Sequence, residues 1–453
     1  MMAKPIVERA PKFSMKDFDF QKVEDIFHDY AEVDDKGRYL HWSVLKWRLP
    51  QNDAKRIWSL IKFKRTMQVK YLHITDDNEE LFYYCIPHSM EAKLHKVIQI
   101  AGGSIASVAG NVASDNIQKK FLVSSLMMEE AITSAQLEGA STTREVAKKM
   151  LEDEREPIDE DERMIINNFL LLKHAEKMKN ENLTLDLILD FHSIATLHTT
   201  ENNVVPGEFR KDNDIHVRDY QGEVAHQPPC YKKIEERLFD LCEFANSDHS
   251  GAEEASPFIP PVIKAIILHF MIGFEHPFRD GNGRTARAIF YWFMLKHEYD
   301  LFKYVSISKL LKNDPKGYGL SYLYTEKDNN DLTYFIDFQL DIILAAFDEL
   351  QDYLKVKTDE FYQVVELLDD SRFSGLNFVQ KDIIKKATKE PGRIFTVKEV
   401  SNSYAISDNT ARKNLNALVT EKLIYSLKDG RSTNYISSNN LIQRLSAKKI
   451  KKV

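Results

Sequence analysis

Two strongly apolar helical segments joined by a short polar loop constrain the fold of this chain more than any other feature. The first, Pro261 to Glu275, and the second, Arg284 to His297, both carry apolar side chains at helical spacing. The loop and the first residues of the second segment, His276 to Arg287, have the sequence HPFRDGNGRTAR. This stretch contains an imidazole, a carboxylate, two glycines, an amide and three arginines. Polar chemistry therefore gathers at the amino end of the second helix, a geometry typical of nucleotide-phosphate sites.

Several residues of this stretch suit a polyphosphate. Gly281 and Gly283 allow a sharp turn and a close approach of the backbone to a ligand. The first amides of the following helix favour an anion. Asn282 offers a side-chain amide donor, and Arg284 and Arg287 lie three apart on one helix face. The stretch is not a Walker-type phosphate loop, because it has no GK(S/T) and no preceding strand.

The same stretch supplies groups for chemistry on a bound phosphate. Asp280 offers the hard oxygen that a phosphate-bound Mg²⁺ prefers, and His276 is placed to remove a proton from an incoming hydroxyl. Phe278, the one large apolar residue of the loop, is expected to point into the core and hold the loop's shape. Taken singly, His276 could be a capping residue, and Asp280 with Asn282 a turn. The functional interpretation depends on the whole string.

Helical periodicity from about Ile117 onward predicts a mainly α protein. The predicted helices are Lys119 to Leu137 (stopping at Gly139, a C′ residue), Glu160 to Met178, Leu185 to Leu197, Lys232 to Asn246, Gly317 to Tyr324 and a long helix beginning near Leu332. The polar stretch Thr199 to Pro229 interrupts this pattern, and inside it Ile215, Val217 and Val224 predict a β-hairpin.

We expect three domains. Residues 1–105 predict a small mixed domain with strands at Tyr71 to Ile74 and Leu81 to Ile86, which either packs on the body or recognises a partner. Gly102 to Asn116, rich in small residues, predicts a linker or loop. Residues 106–370 form the predicted helical body, and residues 371–453 a separate C-terminal module.

The C-terminal module differs from the body in charge. The chain has a net charge of -7, yet Ser371 to Val453 holds 17 Lys and Arg against 6 Asp and Glu. Its pattern predicts a winged helix-turn-helix, built from helices at Gln380 to Thr388, Val397 to Tyr404 and Asp408 to Glu421 and a two-stranded wing at Leu423 to Ser426 and Asn434 to Ile436.

The third helix of this module would be the recognition helix. Ser407 is a suitable N-cap for it, and its exposed side would carry Asn409, Arg412, Lys413 and Asn416. These residues and the positive charge favour DNA binding. A protein-contact or dimerisation module is the alternative.

Composition excludes several other classes. The amino-terminal sequence has no apolar signal region, and no apolar run reaches the roughly 18 residues that span a bilayer. Cys85, Cys230 and Cys242 follow no paired spacing, which favours a reducing compartment, and we expect a cytoplasmic protein. The histidine pairs lack zinc spacing.

The stretch HPFRDGNGRTAR resembles the Fic motif, HxFx(D/E)GNGRxxR, at every fixed position, and the resemblance covers roughly Lys119 to Ile343. It implies an α-helical enzyme that transfers AMP from ATP to a Ser, Thr or Tyr hydroxyl of a target protein. By position, it makes His276 the general base and Asp280 the Mg²⁺ ligand. The resemblance also implies that Gly281, Asn282 and Gly283 form an anion hole, that Arg284 and Arg287 bind phosphates, and that the hairpin at Ile215 to His226 is a flap that registers the target by strand addition.

A second motif concerns regulation. Glu138 is an acid in the last turn of a predicted helix, where the dipole disfavours negative charge by several tenths of a kcal/mol, so it is either solvated or paired with a cation. Ser134 to Gly139, SAQLEG, resembles the family's inhibitory motif, (S/T)xxxE(G/N). The resemblance implies an amino-terminal inhibitory helix, about residues 119–139, whose Glu138 pairs with Arg287.

These motifs together predict a magnesium-dependent protein adenylyltransferase that uses ATP and is restrained by Glu138. Its partner would be a hydroxyl-bearing target protein or the chain itself, and DNA binding through residues 371–453 and a homodimer are further alternatives. One alternative is the reverse reaction, in which Glu138 positions a water that removes AMP. Another is a DNA-binding transcriptional regulator whose Fic core is a sensor or idle. Transfer of UMP or phosphocholine is a smaller possibility.

Overall fold

The computed structural model describes residues 7–16, 18–103, 126–153, 155–200, 203–218, 222–252, 257–368, 375–389, 393–429 and 432–437. Most of the predicted linker, the start of the predicted helix at Lys119, the boundary at Ser371 and the basic carboxyl-terminal tail lie outside these residues. Within the part of the chain described, no helix is long and apolar enough to cross a membrane. The three cysteines are free.

The chain is mainly α-helical, as the sequence predicts. The amino-terminal elements are α1 (Trp42–Leu45), α2 (Ala54–Thr66), β1 (Lys70–Thr75), β2 (Leu81–Tyr84) and α3 (His88–Ala101). The central elements are α4 (Leu126–Leu137), α5 (Arg144–Asp153), α6 (Glu160–Lys177), α7 (Leu185–Thr196), β3 (Val217–Arg218), β4 (Val224–His226), α8 (Ile234–Asn246), α9 (Pro261–Glu275), α10 (Asn282–Lys296), α11 (Ile307–Asn313), α12 (Pro315–Lys327) and α13 (Thr333–Leu368). The carboxyl-terminal elements are α14 (Phe378–Lys389), β5 (Ile394–Phe395), α15 (Val397–Tyr404), α16 (Asp408–Thr420), β6 (Ile424–Asp429) and β7 (Ser432–Ser437).

The two apolar helices predicted first, α9 and α10, lie at the centre of the main core. In α9 almost every side chain is buried, and Pro261 occupies its first turn, where a missing N–H costs no hydrogen bond. Helix α10 packs against α6, α7 and α9 and buries Trp292, Phe293 and their neighbours. Because both helices are fixed by burial along their length, the loop between them is held at both ends.

The amino-terminal region packs on the body and shares its core. Side chains of β1, β2 and α3, including Leu72, Phe82 and Val97, belong to the same buried cluster as α9 and α10. A small second cluster lies around Trp42 and Trp58. Strands β1 and β2 pair antiparallel, which confirms the predicted strands to within two residues at their ends.

The carboxyl-terminal elements have their own core. Ile383, Leu415 and Tyr435 are among its buried members. The predicted wing is extended by one strand: β6 and β7 pair antiparallel, and β5 adds to β7 to give the order β5-β7-β6. The sequence did not predict β5, because a two-residue strand has no readable alternation. Ser407 caps α16 by accepting the N–H of Thr410, which confirms the predicted N-cap.

Candidate active site at the amino end of α10

His276 ends α9 and enters the loop in a left-handed conformation, with φ of 45°. Its ring Nδ1 lies 3.3 Å from the carbonyl oxygen of Gly273. A carbonyl can only accept, so Nδ1 carries the proton and Nε2 of the neutral ring keeps a free lone pair. Burial lowers the pKa of His276 to about 4, against the opposing effect of the Gly273 carbonyl. The imidazole is therefore neutral at physiological pH.

The side chain of Asn282 closes the loop. Its Oδ1 accepts the N–H of Phe278 and its Nδ2 donates to the carbonyl of Phe278, both at 2.9 Å. These bonds occupy Oδ1 and one of the two hydrogens of Nδ2, so the predicted side-chain donor to an anion stays a prediction. Asn282 also offers a ligand its backbone N–H in the first turn of α10.

Phe278 is fully buried beneath this closure. Its ring stacks on that of His192, with centroids 3.6 Å apart and planes 2° from parallel. The ring of Phe209 also stacks on Phe278, with the two centroids 5.4 Å apart. The loop thus has an aromatic support inside the core.

His192 on α7 is a loop-holding residue that the sequence analysis missed. Its Nε2 donates to the backbone carbonyl of Asp280 at 3.0 Å, and its Nδ1 accepts the N–H of Gly207 at 3.0 Å. Burial lowers the pKa of His192 to about 4, which keeps one proton on the ring and fixes that pattern. The position lies inside the predicted helix Leu185 to Leu197, and no spacing pattern in the sequence linked it to the loop.

Arg210 is the second missed residue. It is buried, and its backbone N–H donates to the carbonyl of Pro277 at 2.9 Å. Its Nε donates to the carbonyl of His276 at 2.9 Å, and its Nη1 donates to the carbonyl of Asp212 at 2.8 Å. Arg210 therefore ties the turn after α9 to the segment that leads into the β3–β4 hairpin.

Asp280 and Arg284 form an ion pair one helical turn apart. Arg284 is 1% exposed, and its Nη1 also donates to the carbonyl of Ala195 at 2.8 Å. Its Nε is buried with no hydrogen-bond acceptor among the described residues. Arg284 lies beneath the loop, whereas the carboxylate of Asp280 lines the cleft above it.

The amino end of α10 points its backbone amides into this cleft. Gly281 precedes the helix with φ of 78° and gives it no side-chain cap. A helix leaves its first amides without intrahelical acceptors, so they and the dipole favour an anion here. A Cβ on Gly281 would lie 2.7 Å from Thr196 Cγ2, and the left-handed φ also disfavours any other residue.

Glu138 reaches this site from α4. Arg287 is 3% exposed, and its Nη2 lies 2.8 Å from Glu138 Oε1. Arg287 Nε donates to Ser134 Oγ at 3.0 Å, and Nη2 is 3.3 Å from the Ser134 carbonyl. Burial raises the pKa of Glu138, but Arg287 and Arg284 outweigh it, so the pKa is lowered and the carboxylate is charged.

The carboxyl end of α4 presents Glu138 through a helix-ending turn. Gly139 has φ of 109°, its N–H donates to the Gln136 carbonyl, and the N–H of Ala140 donates to the Ala135 carbonyl. These two bonds define a Schellman motif, which confirms Gly139 as the C′ residue. Glu138 approaches the backbone of Gly283 so closely that a Cβ there would lie 2.2 Å from Glu138 Oε1.

These groups surround an open cleft of about 290 Å³. Its walls are the loop with His276, the tip of α4 with Glu138, and the hairpin side that runs through Ile215 and Arg218. Strands β3 and β4 pair antiparallel, which confirms the predicted hairpin; its residues 219–221 lie outside the described chain. Within the described residues, Ser134, Arg284 and Arg287 support the cleft from below and do not line it.

Asp280 is the carboxylate that would hold a cation in this cleft. Among the described residues, no three or more His, Cys, Asp or Glu side chains converge as metal ligands. Mg²⁺ is commonly bound by one or two carboxylates, waters and the phosphates of a substrate. A single carboxylate beside helix amides fits that type of site.

Residues 182–294 match the model of the Fic/DOC family, and this range contains α7, the hairpin, the loop and most of α10. Residues 182–294 are thus similar to a Fic domain. The chain is 28% identical over 159 residues to Protein adenylyltransferase Fic of Drosophila virilis, which is 35% of this chain and 30% of the relative. It is 29% identical over 118 residues to Protein adenylyltransferase fic-1 of Caenorhabditis elegans, which is 26% of this chain and 20% of the relative.

The chain thus spans about a third or less of these curated relatives. Among solved structures, a Fic family protein from Desulfovibrio desulfuricans covers 78% of this chain and 97% of its own, at 17% identity and a TM-score of 0.49. The family match places the Fic domain on the loop and on the helices that carry it.

Proposed function

We propose that this chain is a protein adenylyltransferase that moves AMP from ATP to a hydroxyl side chain of a target protein. The observation that carries the proposal is the cleft itself. It brings the unprotonated Nε2 of His276 together with the uncapped amino end of α10. The relatives' names support the same chemistry, since two of them are called protein adenylyltransferases.

In the proposed reaction, ATP lies with its phosphates at the amino end of α10. The acceptor hydroxyl gives its proton to His276 Nε2 while its oxygen attacks the α-phosphorus. The bond from that phosphorus to the bridging oxygen breaks, and pyrophosphate leaves with the electron pair. The amides of Gly281, Asn282 and Gly283 stabilise the developing negative charge, and a neutral, desolvated His276 is suited to accept the proton.

Asp280 would hold Mg²⁺ together with the phosphates of ATP. The cation would supply charge neutralisation on the phosphates. Arg284 holds Asp280 in place from below, and its buried Nε still has a hydrogen to donate. We propose Arg284 and Arg287 as the cationic support of the phosphates, with Arg287 reaching them only after it leaves Glu138.

The hairpin at Ile215 to His226 is proposed as the flap that receives the target. Its β3 side lines the cleft, so an extended segment that paired with this strand would bring its side chains to His276. Backbone pairing would set the register of the target segment, and the hydroxyl side chain that this register places beside His276 would be the acceptor.

We further propose that the resting chain is restrained by Glu138. Its carboxylate occupies Arg287 and lies against Gly283, where a γ-phosphate would need the same cation. A phosphate held slightly out of line reacts slowly, since a misplacement of about 1 Å can cost on the order of a hundredfold in rate.

Labelled ATP tests the proposal. The purified chain should label native-lysate proteins or itself weakly, Glu138→Gly should label strongly, and Glu138→Gly combined with His276→Ala should label nothing. Mass spectrometry of the labelled proteins should find AMP on Ser, Thr or Tyr. If the Glu138→Gly chain labels no protein across the lysate, the transferase proposal is wrong.

The reverse reaction is a second candidate, because Glu138 and His276 both line the cleft. A carboxylate there is placed to orient a water towards a bound phosphodiester. A pre-AMPylated target decides the direction: loss of AMP with the unsubstituted chain, abolished by Glu138→Gly, would support removal over transfer.

DNA binding by the proposed domain of residues 371–453 is a further candidate. Asn409, Arg412, Lys413 and Asn416 are all exposed on α16, and this side of the helix is turned away from the small core. Random-sequence DNA should bind the full chain with a salt-dependent affinity. Arg412→Ala with Lys413→Ala should weaken it. Binding that persists unchanged would contradict a recognition role for α16.

A further inference from the structure

Two side chains from outside the loop, Arg210 and His226, contact the carbonyls at the carboxyl end of α9. A helix leaves its last carbonyls without intrahelical partners, and its dipole favours positive charge there. Arg210 donates to the carbonyls of Glu275 and His276, at 3.4 and 2.9 Å. The carbonyl of Phe274 lies 2.7 Å from Nε2 of His226. Because His226 is the last residue of β4, the flap itself holds the backbone that carries the base.

The second ring nitrogen of His226 has a carboxylate beside it, although the angle of this contact is not that of a hydrogen bond. Nδ1 lies 2.9 Å from Oε1 of Glu326 on α12. The Phe274 carbonyl can only accept, so Nε2 carries a proton. A neutral ring would then leave the lone pair of Nδ1 close to a carboxylate oxygen, 2.9 Å away, which is repulsive. A proton on Nδ1 removes the repulsion and makes His226 an imidazolium paired with a carboxylate.

The charged neighbours agree with this assignment. Burial lowers the pKa of His226, which is 8% exposed, but Glu326, the Phe274 carbonyl and Glu275 together outweigh burial and raise it. Glu275 is itself paired with Arg237 of α8 at 2.8 Å. The remaining neighbour is His276, whose pKa is lowered first by burial and further by the charge on His226.

We propose that His226 is a doubly protonated positioning residue that pins the flap to α9 and α12 and so fixes the acceptor relative to His276. The proposal rests on the transferase function above. His226 lies on the acceptor side of the cleft, whereas the proposed phosphate site is the amino end of α10. Loss of His226 should therefore weaken use of the acceptor and leave binding of ATP unchanged.

Nuclear magnetic resonance tests the protonation state without any catalysis. The full chain carrying His276→Ala and ¹⁵N-labelled histidine is titrated, and the His226 signals are assigned by their loss in His226→Gln. Both nitrogens should keep imidazolium shifts through roughly pH 7, and Glu326→Gln should move the titration of His226 to lower pH. The exposed His95 is the internal reference. A neutral His226 at pH 7 overturns the proposal and leaves the transferase function standing.

Kinetics in the Glu138→Gly background test the positioning role. The acceptor is the lysate protein that this variant labels most strongly, at increasing concentration. His226→Gln and Glu326→Gln should raise the apparent KM for that protein about tenfold with the KM for ATP unchanged, a split that marks acceptor positioning. His95→Gln is the control, and thermal melting checks folding. Should both KM values rise equally, or neither rise, His226 has no such role.

Discussion

At the scale of single residues, the surroundings of His276, the proposed base, fix its tautomer and its protonation state. The Gly273 carbonyl fixes its tautomer, and burial lowers its pKa to about 4. Its left-handed backbone, unusual for a residue with a Cβ, is held by bonds from Arg210. Packing around the loop supplies the free energy that holds this backbone conformation. The neutral imidazole of His276 can therefore face the cleft.

The lowered pKa of His276 predicts that the transfer rate does not depend on its protonation near neutral pH. Because the neutral form of His276 prevails above about pH 4, the transfer rate of Glu138→Gly should show no His276 titration between roughly pH 6 and pH 8. Removing Glu138 lowers this pKa further, since its charge raises it. Single-turnover rates with labelled ATP check the prediction. An inflection near pH 6.5 in these rates would show that His276 titrates as an exposed histidine.

Ser134 gives a graded test of restraint. Ser134→Ala removes the acceptor of Arg287 Nε, and a hydrogen bond to a charged group contributes about 1.5–3 kcal/mol. Arg287 should then exchange Glu138 for a phosphate more readily. We expect AMP transfer several-fold above the unsubstituted chain and below Glu138→Gly, measured as initial rate. Ser141→Ala, whose hydroxyl binds Asp161, is the matched control. A rate at or below that of the unsubstituted chain contradicts the mechanism.

Sequence predicted the residues of this site where they are contiguous. His276 to Arg287 could be interpreted as one string because loop and helix start place neighbours in sequence side by side. The partners of that string could not be found this way: His192 and Arg210 meet it through long-range backbone contacts that leave no spacing pattern. The bonds between Asn282 and Phe278 could not be found in this way either, since only the folded loop shows that they close it.

At the scale of elements, α4 is seated on α11 by a buried carboxylate. Glu130 accepts from Ser308 N at 3.1 Å, from Ser308 Oγ at 2.5 Å and from Ser306 Oγ at 2.9 Å. Thr133 adds a bond to Ser306 at 2.8 Å. Glu130 and Glu138 are eight residues apart, so they share one helix face. The contacts of Glu130 with α11 near one end of α4 therefore set the position of Glu138 at the other end.

Removing the Glu130 carboxylate should loosen the contact of α4 with α11 and so free Glu138 at the carboxyl end of α4. Glu130→Ala leaves two hydroxyls and an amide buried without their acceptor, at a cost of about 1–3 kcal/mol for each group left unsatisfied. We expect a lower melting temperature and an AMP-transfer rate above that of the unsubstituted chain. In a double-mutant cycle, Glu130→Ala should activate no further once Glu138→Gly is present. Additive activation by the two changes would mean that Glu130 acts through another route.

Elements that carry a periodic apolar face, a cap or a turn signal were predictable, whereas β5 was not. The span of α9 matches its predicted bounds, and α6, α7 and α16 differ by one residue at one end, since periodic apolar faces and caps mark them. Strand β5 has two residues and exists through its pairing with β7. For residues 1–105 the sequence predicted a small mixed domain but could not decide its packing, because its apolar side chains serve the core of the body as well as their own.

At the scale of the whole molecule, buried charges join the amino-terminal region to the body. Lys62 on α2 is 4% exposed and lies 3.0 Å from Asp328 and 3.5 Å from Asp331, both in the turn between α12 and α13. Tyr39 and Tyr334 donate to the same carboxylates, at 2.8 and 2.7 Å. Arg237 makes a second bridge, from Glu275 beside His276 to Asp77 after β1. The amino-terminal region is thereby linked to the helix that ends at His276.

Breaking the first of these links should destabilise the body as well as the amino-terminal region. Lys62→Met keeps the length of the side chain but leaves two buried carboxylates without their cation, which costs about 3–5 kcal/mol for such a buried pair. Urea unfolding should show this loss in one transition reported both by circular dichroism and by tryptophan fluorescence. Lys55→Met, on the exposed side of the same helix, is the matched control and should change stability little. Two separate transitions in Lys62→Met, with the later one at the midpoint of the unsubstituted chain, would show that the amino-terminal region unfolds independently and that the shared core does not couple it to the Fic domain.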